Sequence, residues 1–375
     1  MDALILSCST GGGHNAAGAA LKGELERRGH HVTMMDPYEL VSHRLAVEIG
    51  SLYVKMVQHS PRLFGVVYSL GSVVRKVPGK SPVYYANIAV AKKLREYLKE
   101  HPADVILMPH LYPAEIITYL KKCHEKLPIC VFIATDYTCI PFTEETECDY
   151  YVVPGPAQVR EFVKRGIPKE KILPFGIPVS GAFDEQIEKA KAKEILGLRE
   201  DTHYVLLTGG SIGAGNIEKT IQSLLASFRK KKQNGHLIVI CGNNERLYRR
   251  LERNYSGQLT LLRKTKRMAL YMCACDIFIS KPGGLSSTEA AVVQIPYIHI
   301  RPIPGCETKN MRYFSGNGMS VVVRHPKLSL THAVNRLMQQ DNAEQMKGKQ
   351  KSIIPQDARS RICDWIENAI IDICQ

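Results

Sequence analysis

Short apolar runs alternate with helical patterns along most of this chain, and that alternation limits its fold more than any other feature. Six runs of strand length come first: Leu4–Cys8, His31–Met35, Asp104–Pro109, Ile129–Thr135, Tyr150–Val153 and Lys171–Phe175. Six more follow Pro178: His203–Thr208, His236–Cys241, Leu259–Arg263, Asp276–Ser280, Pro296–Ile300 and Ser320–Val323. Runs of this length, bounded by turn signals, read as buried parallel strands. Between them lie segments such as Ala16–Arg28, Ile217–Lys231 and Glu245–Glu252, which read as helices and draw on Ala, Leu, Glu, Lys and Arg, all good helix formers. Two successive strand–helix series predict an α/β protein of two doubly wound, Rossmann-like domains facing each other across a cleft. The expected division is 1–177, 178–350 and a C-terminal segment 351–375, with the linker near Pro174–Gly181. The final helix, Gln356–Cys374, is expected to return to the first domain. A length of 375 residues suits two such domains.

Composition narrows the class. No apolar run approaches the length of a membrane span, and the N-terminus runs straight into the first strand, so neither a transmembrane helix nor a signal peptide is expected. Eleven scattered cysteines without a C-x-x-C pair predict reduced thiols in a cytoplasm. No H-E-x-x-H, zinc spacing or D-x-D pair occurs, so no protein-held metal is expected. The net charge of +14 favours an anionic partner. No motif for nucleic-acid readout accompanies it, and no nucleic-acid partner is expected. Part of the charge lies between Ile49 and Arg95, where Lys55, Arg62, Arg75, Lys76, Lys80, Lys92, Lys93 and Arg95 stand without one acidic residue. Leu63, Phe64, Val66 and Val67 interleave them. Basic and apolar residues in one stretch predict a surface that docks on an anionic membrane; the alternative is a basic helical pair half-buried on the sheet.

The chemistry concentrates in glycine-rich turns that follow strands. "STGGGHNAAGAAL" (9–21) reads as a strand-to-helix turn at Gly11-Gly12-Gly13, with His14 in the first turn of the helix facing the space above. Gly11-x-Gly13-x-x-Ala16, with Asp36 about 20 residues on, also satisfies a dinucleotide fingerprint, which alone is a weak signal. Two comparable turns occur in the second series, Gly209-Gly210-Ser211 and Lys281-Pro282-Gly283-Gly284. The second opens a helix whose N-terminus suits a pyrophosphate. Glu289, about one and a half turns in, could accept two hydroxyl hydrogen bonds, as from a ribose, or be an ordinary helix carboxylate.

"KPGGLSSTEAAVVQIPYIHIRPIPGCETKN" resembles the nucleotide-sugar site of GT-B glycosyltransferases. It is most similar to the monogalactosyldiacylglycerol synthases, the processive diacylglycerol glucosyltransferases and the lipid-intermediate N-acetylglucosaminyltransferase of peptidoglycan synthesis. "STGGGHNAAGAAL", "ATDY" (134–137) and "FGIPV" (175–179) resemble further stretches of the glycolipid synthases. The resemblance displaces the nicotinamide reading and implies site roles. Gly209, Gly210 and Ser211, with Gly283, Gly284 and Leu285, would hold the diphosphate of a UDP-sugar. Glu289 would take the ribose hydroxyls, and Arg263 to Met268 would lie by the uracil. Glu307, Thr308 and Asn310 would contact the sugar and diphosphate region. Gly12, Gly13 and His14 would lie on the acceptor side.

Two departures stand out. Cys306 replaces the family's usual Gln, and Thr138-Cys139-Ile140-Pro141 lacks the His that usually follows the T-D motif. The implied reaction moves a hexose from a UDP-sugar to a lipid hydroxyl with inversion, at the cytoplasmic face of the cell membrane, with UDP-sugar as substrate and no cofactor. His14 is the expected base, with Asp136 as its rival or its orienting partner. The alternative reading is a transferase acting on a soluble acceptor.

Overall fold

The computed structural model describes residues 1–8, 12–44, 46–48, 51, 84, 87–211, 213, 217–231 and 234–374. Most of the basic stretch 49–95, together with Gly11, lies outside the described residues. The chain divides into two compact units. Unit 1 is Met1–Gly181, Pro304–Cys306 and Pro355–Gln375; unit 2 is Ala182–Ile303 and Glu307–Ile354.

Unit 1 holds a six-stranded parallel sheet: β1 (Asp2–Leu6), β2 (His31–Met35), β3 (Val105–Met108), β4 (Ile129–Ile133), β5 (Tyr150–Val152) and β6 (Ile172–Leu173), in spatial order β2-β1-β3-β4-β5-β6. The helices are α1 (Gly12–Arg27), α2 (Ile88–Glu100), α3 (Leu111–Lys122) and α4 (Pro156–Lys164), with a C-terminal helix (Ala358–Cys374) packed against α1. Alternation along β1 covers both faces of the sheet. Leu4 and Leu6 join one core with Leu94, Ile117 and Leu120, while Ala3 and Ile5 join a second with Leu21, Leu25, Ile362 and Ile366. The C-terminal helix thus supplies a share of the second core. Within α2, Val90, Ala91 and Leu94 are buried, Lys93 pairs with Glu96 and Arg95 with Glu125. For that short part of the basic stretch, two of its cations are matched by local acids.

Unit 2 repeats the architecture with β7 (His203–Thr208), β8 (Gly235–Ile240), β9 (Thr260–Leu262), β10 (Ile277–Ser280), β11 (Tyr297–His299) and β12 (Val321–Val322), all parallel, in order β12-β11-β10-β7-β8-β9. In chain order the helices are α5 (Lys189–Leu196), α6 (Ile217–Lys231), α7 (Glu245–Tyr255), α8 (Met268–Ala274), α9 (Gly284–Val293), α10 (Cys306–Gly316), α11 (Pro326–Leu337) and α12 (Gln340–Ile353). The C-terminal helix is α13.

Strand order locates the sites. Where neighbouring strands are followed by crossovers in opposite directions, the loops at their carboxyl ends diverge and leave a crevice. In unit 1 that point lies between β1 and β3; in unit 2 it lies between β7 and β10, where Thr208 pairs with Ser280. The glycine-rich turns end at these two places. The start of the first helix differs from the sequence expectation: α1 begins at Gly12, so Gly12 and Gly13 belong to its first turn and not to a loop before it. The first turn of a helix makes no upstream hydrogen bonds of its own, which lessens the cost of glycine there. Of the ten cysteines whose side chains are described, seven are buried: Cys8, Cys130, Cys139, Cys148, Cys241, Cys275 and Cys363. No described helix is long and apolar enough to cross a membrane.

Candidate functional site

Unit 2 forms a cradle from two neighbouring strand ends. After β7 the chain turns through Gly209 and Gly210, and Gly210 Nα donates to Thr208 Oγ1 at 3.2 Å. Gly210 has φ +72°, and a Cβ there would stand 2.8 Å from Cε of Lys281, so only glycine lets the lysine stem lie against this turn. The turn is held from the side, since Asn243 Nα donates to the carbonyl of Ser211 (2.8 Å) and Gly242 Nα to that of Arg263 (3.1 Å). After β10, Lys281 points its ammonium at Glu307, and the half-buried lysine forms an ion pair with the buried carboxylate. Glu307 is fixed further by Ile303 Nα, which donates to its second oxygen at 2.8 Å. Asn310, fully buried, donates through Nδ2 to Pro282 O at 3.1 Å and so braces the turn before Gly283 and Gly284.

The structure therefore joins Gly210, Lys281 and Glu307 directly, with Asn310 attached through the carbonyl of Pro282 and Gly209, Gly283 and Gly284 on the same turns. Ser211 and the backbone of Arg263 are tied to one another through the β8–α7 turn. The Arg263 side chain is already engaged: it pairs with Glu245 at 3.1 Å and stacks on Tyr248, 3.7 Å from the ring centre. Met268 opens α8. Thr308 sits half-buried beside Glu307, and Leu285 is buried in the first turn of α9. Lys281 was not singled out from sequence as a ligand-binding group. Its signal was its place at a strand end, before two glycines.

Beneath the cradle, His299 is fully buried between Ser287 Oγ (3.1 Å from Nε2) and Ser320 Oγ (3.0 Å from Nδ1), and burial pushes its pKa down to about 3. It is a neutral structural link. Glu289 lies on α9 and makes no hydrogen bond or ion pair among the described residues. It keeps partial solvent contact, yet enough protein surrounds its carboxyl group to raise the pKa to about 8.

Unit 1 brings two histidines together. His14, in the first turn of α1, places Nδ1 2.8 Å from the carbonyl oxygen of Pro109 and 2.9 Å from Thr135 Oγ1. A carbonyl only accepts, so Nδ1 carries the hydrogen, and in the neutral ring Nε2 holds a lone pair. Burial lowers the pKa of His14, and the charge of Asp136 partly opposes that. His110 stands edge-on to His14 with ring centres 4.5 Å apart. Its Nδ1 accepts from Tyr112 Nα at 3.1 Å, capping α3, and burial together with His14 keeps its pKa well below the ordinary value. Asp136, Thr135, Thr138 and Ile140 line a small recess with His14. Sequence reasoning missed His110, because its nearness to His14 depends on β1 lying beside β3. Asp36 hydrogen-bonds Tyr38 Nα at 3.1 Å as the cap of the 3-10 turn Pro37–Leu40. A cap is its structural role here, in place of a dinucleotide ribose.

Comparison with known proteins adds the following. Residues 14–179 match the family described as monogalactosyldiacylglycerol (MGDG) synthase, and residues 204–362 match the glycosyltransferase family 28 C-terminal domain. A processive diacylglycerol beta-glucosyltransferase of Bacillus mycoides is 27% identical over 371 residues, covering 97% of this chain and 92% of that one. A probable chloroplastic monogalactosyldiacylglycerol synthase 2 of Oryza sativa subsp. japonica is 28% identical over 344 residues, covering 86% of this chain and 71% of that one. Among solved structures, MurG of Acinetobacter baumannii superposes with a TM-score of 0.61 at 13% identity, covering 98% of this chain and 99% of that one.

Proposed function

Because this chain belongs to the glycolipid-synthase family of GT-B glycosyltransferases, we propose that it transfers a hexose from a UDP-sugar to the free hydroxyl of diacylglycerol. The observation that carries the donor half is the cradle at the unit 2 switch point: two glycine turns, the N-terminus of α9 and the Lys281–Glu307 pair in one place. A diphosphate there gains backbone N–H groups, the helix dipole and a lysine cation. As the bond to the anomeric carbon breaks, negative charge grows on the departing UDP, and these same groups stabilise it. Glu289 accepts from the ribose hydroxyls, and the Arg263–Met268 segment flanks the uracil. Glu307, Thr308 and Asn310 serve the sugar end.

The acceptor half rests on His14. Nδ1–H is fixed on Pro109 O, so Nε2 is the atom that takes the proton from the attacking hydroxyl. The lowered pKa keeps the ring neutral and competent at pH 7. Asp136 offsets part of the burial and so steadies the imidazolium that forms. Displacement from the face opposite UDP inverts an α-linked donor to a β-linked product. The protein works at the cytoplasmic face of the membrane, where the basic stretch 49–95 draws it to anionic lipid while UDP-sugar reaches it from solution.

The test is thin-layer analysis of product from UDP-glucose, UDP-galactose and UDP-N-acetylglucosamine with diacylglycerol in anionic liposomes. A chloroform-soluble sugar from one donor is expected. UDP release with a water-soluble acceptor alone favours the soluble-acceptor reading, which the Cys306 and Ile140 departures leave open.

A further inference from the structure

Unit 2 carries a second concentration of positive charge, far along the chain from the first. Residues 308–340 contain no Asp or Glu but include Lys309, Arg312, Arg324, Lys327 and Arg336, with His325 and His332. Arg312, Arg324, Lys327 and Arg336 are all exposed, and none of these four makes an ion pair among the described residues. Arg312 and Arg324 line one concavity with His325, Met311, Val322, Ser315 and Ser329. Helix α11 begins at its rim with its N-terminal, positive end.

Leu328, in the first turn of α11, is 84% exposed, the most exposed of the large apolar side chains described. The inner face of α11 is spent on Leu330, Ala333, Val334 and Leu337, all buried. Leu328, His332 and Arg336 follow each other at four-residue spacing along the solvent face. A lone exposed leucine needs no explanation. One standing on a segment that has no acidic residue and several cations without ion pairs is different, because cations and an apolar prong together match the two layers of a lipid interface.

We propose that this face of unit 2 docks on a bilayer containing anionic phospholipid, with the cations among the headgroups and Leu328 below them. The surface goes beyond the reaction proposed above and does not use its site residues. Charge complementarity commits it to lipid, since these cations are exposed side chains on the same segment as the exposed Leu328 and none of the four is buried in an anion pocket.

Leu328→Trp gives a local reporter, read against the wild type with its single tryptophan, Trp365. With vesicles of equimolar phosphatidylglycerol and phosphatidylcholine, the introduced indole should shift to shorter wavelength and be quenched by brominated acyl chains. Pure phosphatidylcholine vesicles should give neither change. The paired substitution Arg324→Gln with Lys327→Gln should lower partition into the anionic vesicles about 30-fold, from about 1 kcal/mol per cation, and raised salt should act in the same direction. An indole emission that stays water-like on bound vesicles, or partition unchanged by the paired substitution, overturns the proposal. Transfer to diacylglycerol in neutral detergent micelles is measured alongside. Its absence in the wild type counts against the reaction, not against this surface.

Discussion

Burial raises the carboxyl pKa of Glu289 to about 8, so without a nucleotide most of this group is protonated at neutral pH. Ribose hydroxyls favour the ionised form, so binding draws the pKa down and releases a proton below pH 8. UDP affinity is expected to rise between about pH 6 and pH 9, and calorimetry in buffers of different ionisation heat should register the released proton. Glu289→Gln should flatten the pH profile, and Glu289→Ala should cost about 1.5–3 kcal/mol of affinity. The linkage has a second sign. A carboxyl whose folded pKa lies above its unfolded value stabilises the fold fully only below about pH 4.5 and loses that as pH rises through 8. Glu289→Gln should therefore melt higher than the wild type at about pH 9. For His14, alanine should lower turnover about 10²–10⁴-fold while UDP binding stays near wild type. Asp136→Asn removes the charge that raises the His14 pKa, so the acid limb of the rate profile should move to lower pH. A collapse of turnover as large as that of His14→Ala would make Asp136 the base instead.

Helices α1 and α13 are joined by a charge cluster around Glu24. This carboxylate is 4% exposed and meets Arg27 at 2.7 Å, Arg28 at 2.8 Å and Arg359 at 3.3 Å. Arg28 reaches on to Asp364 and Glu367. Hydrogen bonds from Arg27, then Arg28, outweigh burial and hold Glu24 down at about 2. Its contribution is present above about pH 4.5 and is lost as pH falls toward 2. Glu24→Gln should cost about 1.5–3 kcal/mol at pH 7, read by urea unfolding, with the difference from wild type shrinking in acid. None of this was visible in the sequence, where Glu24 is one of many helix carboxylates and Arg359 lies 335 residues away. The elements themselves were legible because their signals are local. His203–Thr208 and Ile217–Lys231 end where the apolar run and the helical pattern end. β1 starts two residues earlier than expected, at Asp2, because pairing with His31–Met35 sets its ends, and that pairing is a long-range fact.

The molecule's two halves are separate cores completed from distant parts of one chain, and that completion is open to test. A chain ending at Ile354 loses Ile362 and Ile366 from the core shared with Leu21 and Leu25. Each large apolar side chain removed from a core costs about 2–5 kcal/mol, so unit 1 should melt earlier while unit 2 keeps its transition. Calorimetry would resolve the two. Both doubly wound sheets could be read from alternation alone. Their strand orders could not, and those orders place His110 against His14 and Lys281 against Gly210. The cores also carry a built-in clock. Seven buried cysteines lie in them, and burial raises the thiol pKa of those in strands and turns such as Cys130, Cys148 and Cys275. A thiol reagent added to the native protein should label Cys123 at once and Cys273 and Cys306 slowly. The seven should then react only as fast as their sheets come apart, so the labelling rate, read residue by residue by mass spectrometry, times the opening of each half without any introduced probe.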